Sequence, residues 1–367
     1  MVNILYCFGS LILSFLFPVC AAGQPTTASD ETTAKLIAND LLFQEENILH
    51  FKIEANFREI LKHRSNDTLS YKTVLSYKKN DNNEINIPIK MKVRGNFRRQ
   101  SGSCSFPPLL LNFQKKKQQD STIIFYGQDK LKLVTHCQSD EYVIREWLVY
   151  KLYNLITDKS FRVRLVRVDY VDPFNHGTKE THYGFLLENE SVMARRNHAF
   201  ILNKKMRPME TTNHDEFIKM AIFEYMIGNT DWSVPYLHNI RLLSTDSTKA
   251  PYAVPYDFDY SGIVSAPYAI PPEELEISSV RVRLYRGFCT PYTEFEEPIK
   301  LFNTLKDKFY SIYMNCSLLN NKYIKQTTRY LDEFYKTINN EKLRIYQFGL
   351  PCTINGKKNI IIKGFSR

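Results

Sequence analysis

The chain has 367 residues, 49 Lys and Arg against 39 Asp and Glu, a formal charge of +10, and is 43% hydrophobic and 24% charged. That composition is globular and excludes a disordered or collagen-like chain, while a single long apolar run at the N-terminus excludes a multi-span membrane protein. At roughly 100–200 residues per domain, the length allows one large fold or two packed lobes. The basic excess favours anionic partners, nucleotides and phosphates included, without choosing among them.

Ile4 to Val19 is almost wholly apolar and is followed by Ala21, Ala22 and Gly23, the pattern of a secretory signal and its cleavage region. The expectation is a signal peptide over 1–23 and an exported product (periplasmic, cell-surface or secreted) with no transmembrane span in the mature chain. A retained signal anchor is the competing reading, disfavoured by the short run and by Pro18. A lipoprotein at Cys20 is disfavoured because Phe17-Pro18-Val19 lacks small residues. Cleavage leaves Cys104, Cys137, Cys289, Cys316 and Cys352, an odd number that allows two bridges and one thiol. Cys104 and Cys137 flank two strand-like segments and form the first expected pair; Cys289 and Cys316 form the second. No Cys/His spacing matches a zinc site.

Residues 24–45 are polar and serve as a leader. Alternation predicts strands in ILHFKIEANF, YKTVLSY and INIPIKMKVRG, the last two joined by a turn at Asp81-Asn82-Asn83. PLLLNF and KLKLVTH follow as strands, with the charge run Lys115 to Asp120 as a solvated loop between them. A helix is predicted over EYVIREWLVYKLYNLI, with Asp140 as its N-cap. Two strands come next, RVRLVRVDYVD and THYGFLLENE. The segment HDEFIKMAIFEYMIGN is a second helix closed by Gly228, and Pro298 to Tyr346 is helical with a break near Asn320.

The stretch from Gly228 to Gly262 carries the chemistry. Asp231 stands in a loop after a helix, Asn239 comes 8 residues later before the strand NIRLL, and Asp257 comes 26 residues after Asp231, behind the strand YAVPY. A helix, a loop Asp, an Asn before a strand and an Asp after a strand follow the order of parts in phosphoryl-transfer sites of the protein-kinase type. Such transfer needs hard oxygen ligands for a divalent cation, which Asp257, Asn239 and Asp259 offer, and a separate carboxylate at the acceptor hydroxyl, which Asp231 offers. The spacing of 8 exceeds that of ordinary eukaryotic kinases. Each position also has an ordinary reading: Asp231 in an Asx-turn, Asp257 and Asp259 on a solvated strand face, and Arg94-Gly95-Asn96 as a hairpin turn. His136, His182, His198 and His214 show no triad spacing and read as structural or surface residues.

GNTDW, HNIRLL and VPYDFDYSG, taken in order, resemble the core of the CotH-type (spore-coat protein H) atypical kinases and, more distantly, HipA-type kinases. MKVRGNFRR, EYVIREWLVYKLY and THYGFLLENE resemble other segments of the same family, so the likeness runs over residues 88–262. The resemblance implies an α+β, two-lobed, protein-kinase-like fold, with a β-rich N-lobe over 46–190 and a mainly helical C-lobe over 191–367. It also implies ATP, Mg²⁺ or Mn²⁺, and phosphate transfer to a hydroxyl of a protein substrate, with no nucleic-acid partner. Under it Asp231 is catalytic, Asp257, Asn239 and Asp259 hold the metal, and Arg94, Gly95 and Asn96 take the place of a phosphate loop. The family's lysines after that loop are missing from Cys104-Ser105-Phe106-Pro107-Pro108. Lys130 or Lys132 is then expected to face ATP, with Glu146 as its ionic partner, or Arg145 to bind phosphate.

Two other functions compete. A catalytically degenerate kinase-fold protein could serve surface binding or assembly. Asp257-Phe258-Asp259 could instead be the DxD of a nucleotide-sugar glycosyltransferase holding Mn²⁺ on a diphosphate.

Overall fold

The computed structural model describes residues 41–353 apart from 67, 80–82 and 114–121. The expected signal, most of the polar leader, the charge run at 115–120 and two residues of the expected turn at Asp81-Asn82-Asn83 lie outside the described residues. A short helix α1 (Leu41–Gln44) precedes strand β1 (Leu49–Glu54) and helix α2 (Phe57–Lys62). Strands β2 (Tyr71–Lys78), β3 (Glu84–Val93), β4 (Leu109–Asn112) and β5 (Lys130–Val134) follow. Helix α3 (Asp140–Ile156) then leads to β6 (Val163–Asp172) and β7 (Thr178–Leu187).

These seven strands close into one barrel in the order β1-β2-β3-β4-β5-β7-β6. All neighbours are antiparallel except β1 and β6, which run parallel with Phe51 opposite Val168. Alternation decides the inside: Ile87, Ile89, Met91 and Val93 point inward along β3, where they meet Phe51, Leu75, Leu111, Leu131 and Val168 in one core.

Beyond β7 come α4 (Glu190–Arg196), β8 (Phe200–Leu202), α5 (His214–Ile227), β9 (Ile240–Ser244) and β10 (Tyr252–Pro255). Strands β8, β9 and β10 form a separate antiparallel sheet in the order β10-β9-β8. Helices α6 (Glu296–Thr304), α7 (Lys306–Met314), α8 (Asn321–Ile338) and α9 (Glu341–Phe348) complete the described chain. A second core joins α3, α5, α8 and the small sheet to the outer face of β6 and β7 through Leu165, Phe185 and Leu187. Its helix α3 is buried on most of its circumference, as expected of a helix wedged between a barrel and a helical layer.

The architecture overturns the two-lobed, protein-kinase-like expectation. Strands β6 and β7, which follow α3, return to seal β1 against β5, and the helical half carries its own sheet. Alternation identified the strands, but the edges that pair are set by packing that sequence periodicity does not encode. Two smaller corrections concern caps and bridges. Ser139 caps α3, its hydroxyl accepting the Glu141 amide, so Asp140 lies inside the first turn, where its charge meets the helix dipole. Cys104–Cys137 is bridged as expected, whereas Cys289 pairs with Cys352 and Cys316 is the free thiol. Cys316 follows α7, while the turn after α9 brings Cys352 to a Cα–Cα distance of 4.7 Å from Cys289. Two disulfides fit an oxidising, exported location. Among the described residues no helix is long and apolar enough to cross a membrane.

Candidate functional site

Helix α5 ends at Gly228 in the left-handed region (φ 68°), and a Cβ there would sit 2.2 Å from the Tyr330 hydroxyl, so only glycine fits. The Gly262 amide donates to the Gly228 carbonyl and the Ile263 amide to that of Ile227. The end of α5 is thereby clamped to the segment behind Asp257, which brings two of the three sequence-distant pieces together.

The Asp231 loop is built by short-range hydrogen bonds. The Asn229 side chain accepts the Asp231 amide at 3.1 Å, so Asn229, not Asp231, closes the Asx-turn. Ser233 and His238 form a β-bridge, and Leu237 and Asn239 both take positive φ, folding the long gap into a hairpin. That hairpin returns His238 and Asn239 to Asp231. His238 Nε2 lies 2.7 Å from Asp231 Oδ1, and the Asn239 amide donates to the Asp231 carbonyl and to Oδ2 at 2.8 and 3.0 Å. Burial works against a charge on His238, yet the Asp231 carboxylate outweighs it and raises the imidazole above its ordinary value. Beneath the loop, Arg286 donates to the carbonyls of Thr230 and Trp232.

Pairing of β9 with β10 sets Pro255 opposite Ile240, and the Tyr256 amide donates to the Asn239 carbonyl. Asp257 follows with φ at 65°, a left-handed conformation rare for residues other than glycine, and its amide donates to the Tyr150 hydroxyl of α3. Its carboxylate is half exposed, whereas that of Asp259 is buried.

Arg98 stands among the acids. It lies in the connection between β3 and β4, at a single 3₁₀ turn over Phe97–Arg99. Its guanidinium lies 3.1 Å from Glu146, 2.8 Å from Asp257 and 2.8 Å from Asp259. Arg64 fixes this connection by donating to the carbonyls of Arg98, Arg99 and Ser105, and the Cys104–Cys137 bridge ties it to the approach to α3. Burial drives the Asp259 carboxyl up to about 6, with Arg98 opposing and Asp257 reinforcing the shift, and burial likewise raises Glu146 well above the carboxylate range. The three oxygens lie within 4.8 Å of one another, a spread suited to one divalent ion held by hard carboxylate donors.

A basic group borders the acids. Lys132 on β5 lies 5.3 Å from the Tyr256 ring centre, and Arg241 lies 4.6 Å from the same ring. Burial, with Arg94 and Arg241 adding to it, pushes the Lys132 amine down to about 8. The Asp257 carboxylate also bears on Lys132 and on Arg94, placing all three in one electrostatic neighbourhood.

Of the residues singled out in the sequence, Asp231, Asn239, Asp257, Asp259, Glu146, Lys132 and Arg94 gather here. Gly95 (φ 94°) and Asn96 lead directly into the Arg98 turn. Lys130 stays exposed, its carbonyl accepting from Asn189. Glu146 pairs with Arg98 rather than with a strand lysine. Arg145 is bound to Glu141 and the Val264 carbonyl and lies 3.7 Å from the Tyr323 ring centre, so it pins α3 to α8 instead of facing phosphate. Arg98 is the residue that sequence reasoning left without a role, while His238, which the sequence offers as an alternative functional partner to Asn239, meets Asp231 together with it. The doubled arginine of Phe97-Arg98-Arg99 after Gly95 was the available signal for the first. In a groove of about 730 Å³ elsewhere on the barrel, His50, Lys52 and Arg164 pair with Asp169, Glu84 and Glu45 of the same lining. A scan against protein-family models and a search of curated proteins return no match for the chain.

Proposed function

We propose that this site transfers a phosphoryl group from a nucleoside triphosphate, ATP first among candidates, to a protein hydroxyl with the help of a divalent cation. The reading is carried by one observation. A hydrogen-bonded carboxylate (Asp231), a cluster of acids (Glu146, Asp257, Asp259) and a basic border (Arg94, Lys132, Arg241) converge from segments far apart in the chain. A bound Mg²⁺ or Mn²⁺ would neutralise phosphate charge at Asp257, Asp259 and Glu146. Lys132 and Arg94 would meet the remaining phosphate oxygens. Asp231, held at both carboxylate oxygens by His238 and Asn239, would orient the acceptor hydroxyl and take its proton.

Phosphate incorporation from labelled ATP with Mg²⁺ or Mn²⁺ tests the reading. Asp231→Asn and Asp257→Asn should each lower incorporation by about 10²–10⁴-fold. Equal incorporation by wild type and both variants sinks it. The paired acids and arginine also favour a second reading, a non-catalytic nucleotide-binding protein; cation-dependent ATP binding without any incorporation would select it. Turnover of a UDP-sugar and not of ATP would select the glycosyltransferase reading instead.

A further inference from the structure

Glu146, Asp257 and Asp259 share a single guanidinium, one cation among three acids. A guanidinium offers its donors in one plane as a rigid fork, so Arg98 reaches an oxygen of each of the three carboxylates without surrounding any of them. The consequence is visible at Glu146. That residue is 1% exposed, one oxygen accepts from Arg98, and the other, Oε1, is buried without a hydrogen-bond partner. An orphaned buried acceptor costs about 1–3 kcal/mol, more when charged, and marks a place made for another group. A small divalent cation draws oxygens from all sides, gives Oε1 a partner and favours the ionised form of all three acids.

We propose that Arg98 is a tethered competitor for the divalent cation, holding Glu146, Asp257 and Asp259 in ligating positions until the cation displaces it, with Glu146 as the third carboxylate of that site. This rests on the phosphotransferase reading and adds what keeps its cation site closed. The backbone of the Arg98 turn is anchored: Arg64 binds the Arg98 and Arg99 carbonyls, and the Cys104–Cys137 bridge holds the connection behind it. Exchange therefore involves the side chain alone. The flexible arginine stem swings out while the turn stays in place.

The test is Mn²⁺ binding to the purified chain, followed by electron paramagnetic resonance without nucleotide, in wild type, Arg98→Gln and Arg98→Lys. Arg98→Gln should bind Mn²⁺ about tenfold more tightly than wild type or better, and adding Glu146→Gln to it should abolish the gain. Affinity unchanged or weaker in a folded Arg98→Gln protein overturns the proposal. Phosphate incorporation measured on the same wild-type preparation then still decides the phosphotransferase reading separately. If Arg98→Gln does not fold, Arg98→Lys, which keeps the charge but loses the fork, carries the same criterion. Mn²⁺ bound by neither protein, together with no incorporation, overturns proposal and reading alike.

Discussion

Asn239 donates its side-chain amide to two acceptors of one residue, the carbonyl and the carboxylate of Asp231, at 2.8 and 3.0 Å. The pair lies at the neck of the hairpin that returns the chain after the Asp231 loop, so it sets loop conformation and carboxylate orientation together. Asn239→Asp should be worse than Asn239→Ala. It places a second carboxylate against a buried first one, and about 3–5 kcal/mol of stability should disappear in urea unfolding. Asn239→Ala should cost about 1–3 kcal/mol. In the surviving protein, incorporation should fall through the turnover number with the nucleotide KM little changed, because Asn239 acts on Asp231 and not on the phosphates.

The residue types of this site are legible in the sequence. The loop Asp, the Asn before β9 and the Asp after β10 stand out because strand and helix periodicities bracket them. Their convergence was not legible. It depends on the Ser233–His238 bridge, on positive φ at Leu237 and Asn239, and on the clamp between Gly228 and Gly262. Arg98 escaped because a doubled arginine beside a glycine has the same appearance in a solvated turn. Its burial is decided by Glu146, 48 residues away, and by Asp257, 159 residues away. Barrel closure was hidden for a related reason: β6 is buried on both faces, so its apolar run says nothing about which edges it joins.

Gly262 should tolerate no side chain. A Cβ there would lie 2.3 Å from the Val280 carbonyl and 2.9 Å from the Arg281 Cα, both backbone atoms with little room to move. Gly262→Ala should cost about 2–4 kcal/mol by forcing the segment behind Asp257 off the backbone of Val280 and Arg281. Chemical denaturation measures the loss, and a variant as stable as wild type would show that the 280–281 backbone gives way to a methyl group.

The Cys104–Cys137 bridge closes a separation of 33 residues and ties the Arg98 connection to the start of α3. Cys104→Ser/Cys137→Ser should lose about 2–4 kcal/mol in denaturant unfolding. Cys316→Ser, which touches neither bridge, should unfold within about 0.5 kcal/mol of wild type. The contrast matters more than either number, because it separates the crosslink holding the arginine turn from a half-buried thiol that crosslinks nothing.

His136 supplies the pH dependence. Its ring stacks between Phe106 and His182, with centroids 5.0 and 3.7 Å away, while Tyr170 packs at its side and Asp140 binds the far histidine. Burial, with His182 adding to it, lowers the His136 imidazole from an ordinary 6.5 to about 3. The sign follows from linkage. Between those values the unfolded chain binds a proton that the folded chain refuses, so stability is full above about 6.5 and falls as the pH drops toward 3. The limit is roughly 5 kcal/mol at 1.36 kcal/mol per unit. His136→Phe keeps the stack without the titration, so its unfolding free energy should fall less steeply over that window than that of wild type. Parallel slopes in the two proteins would mean that His136 takes up its proton in the folded state and that the stack opens to admit it.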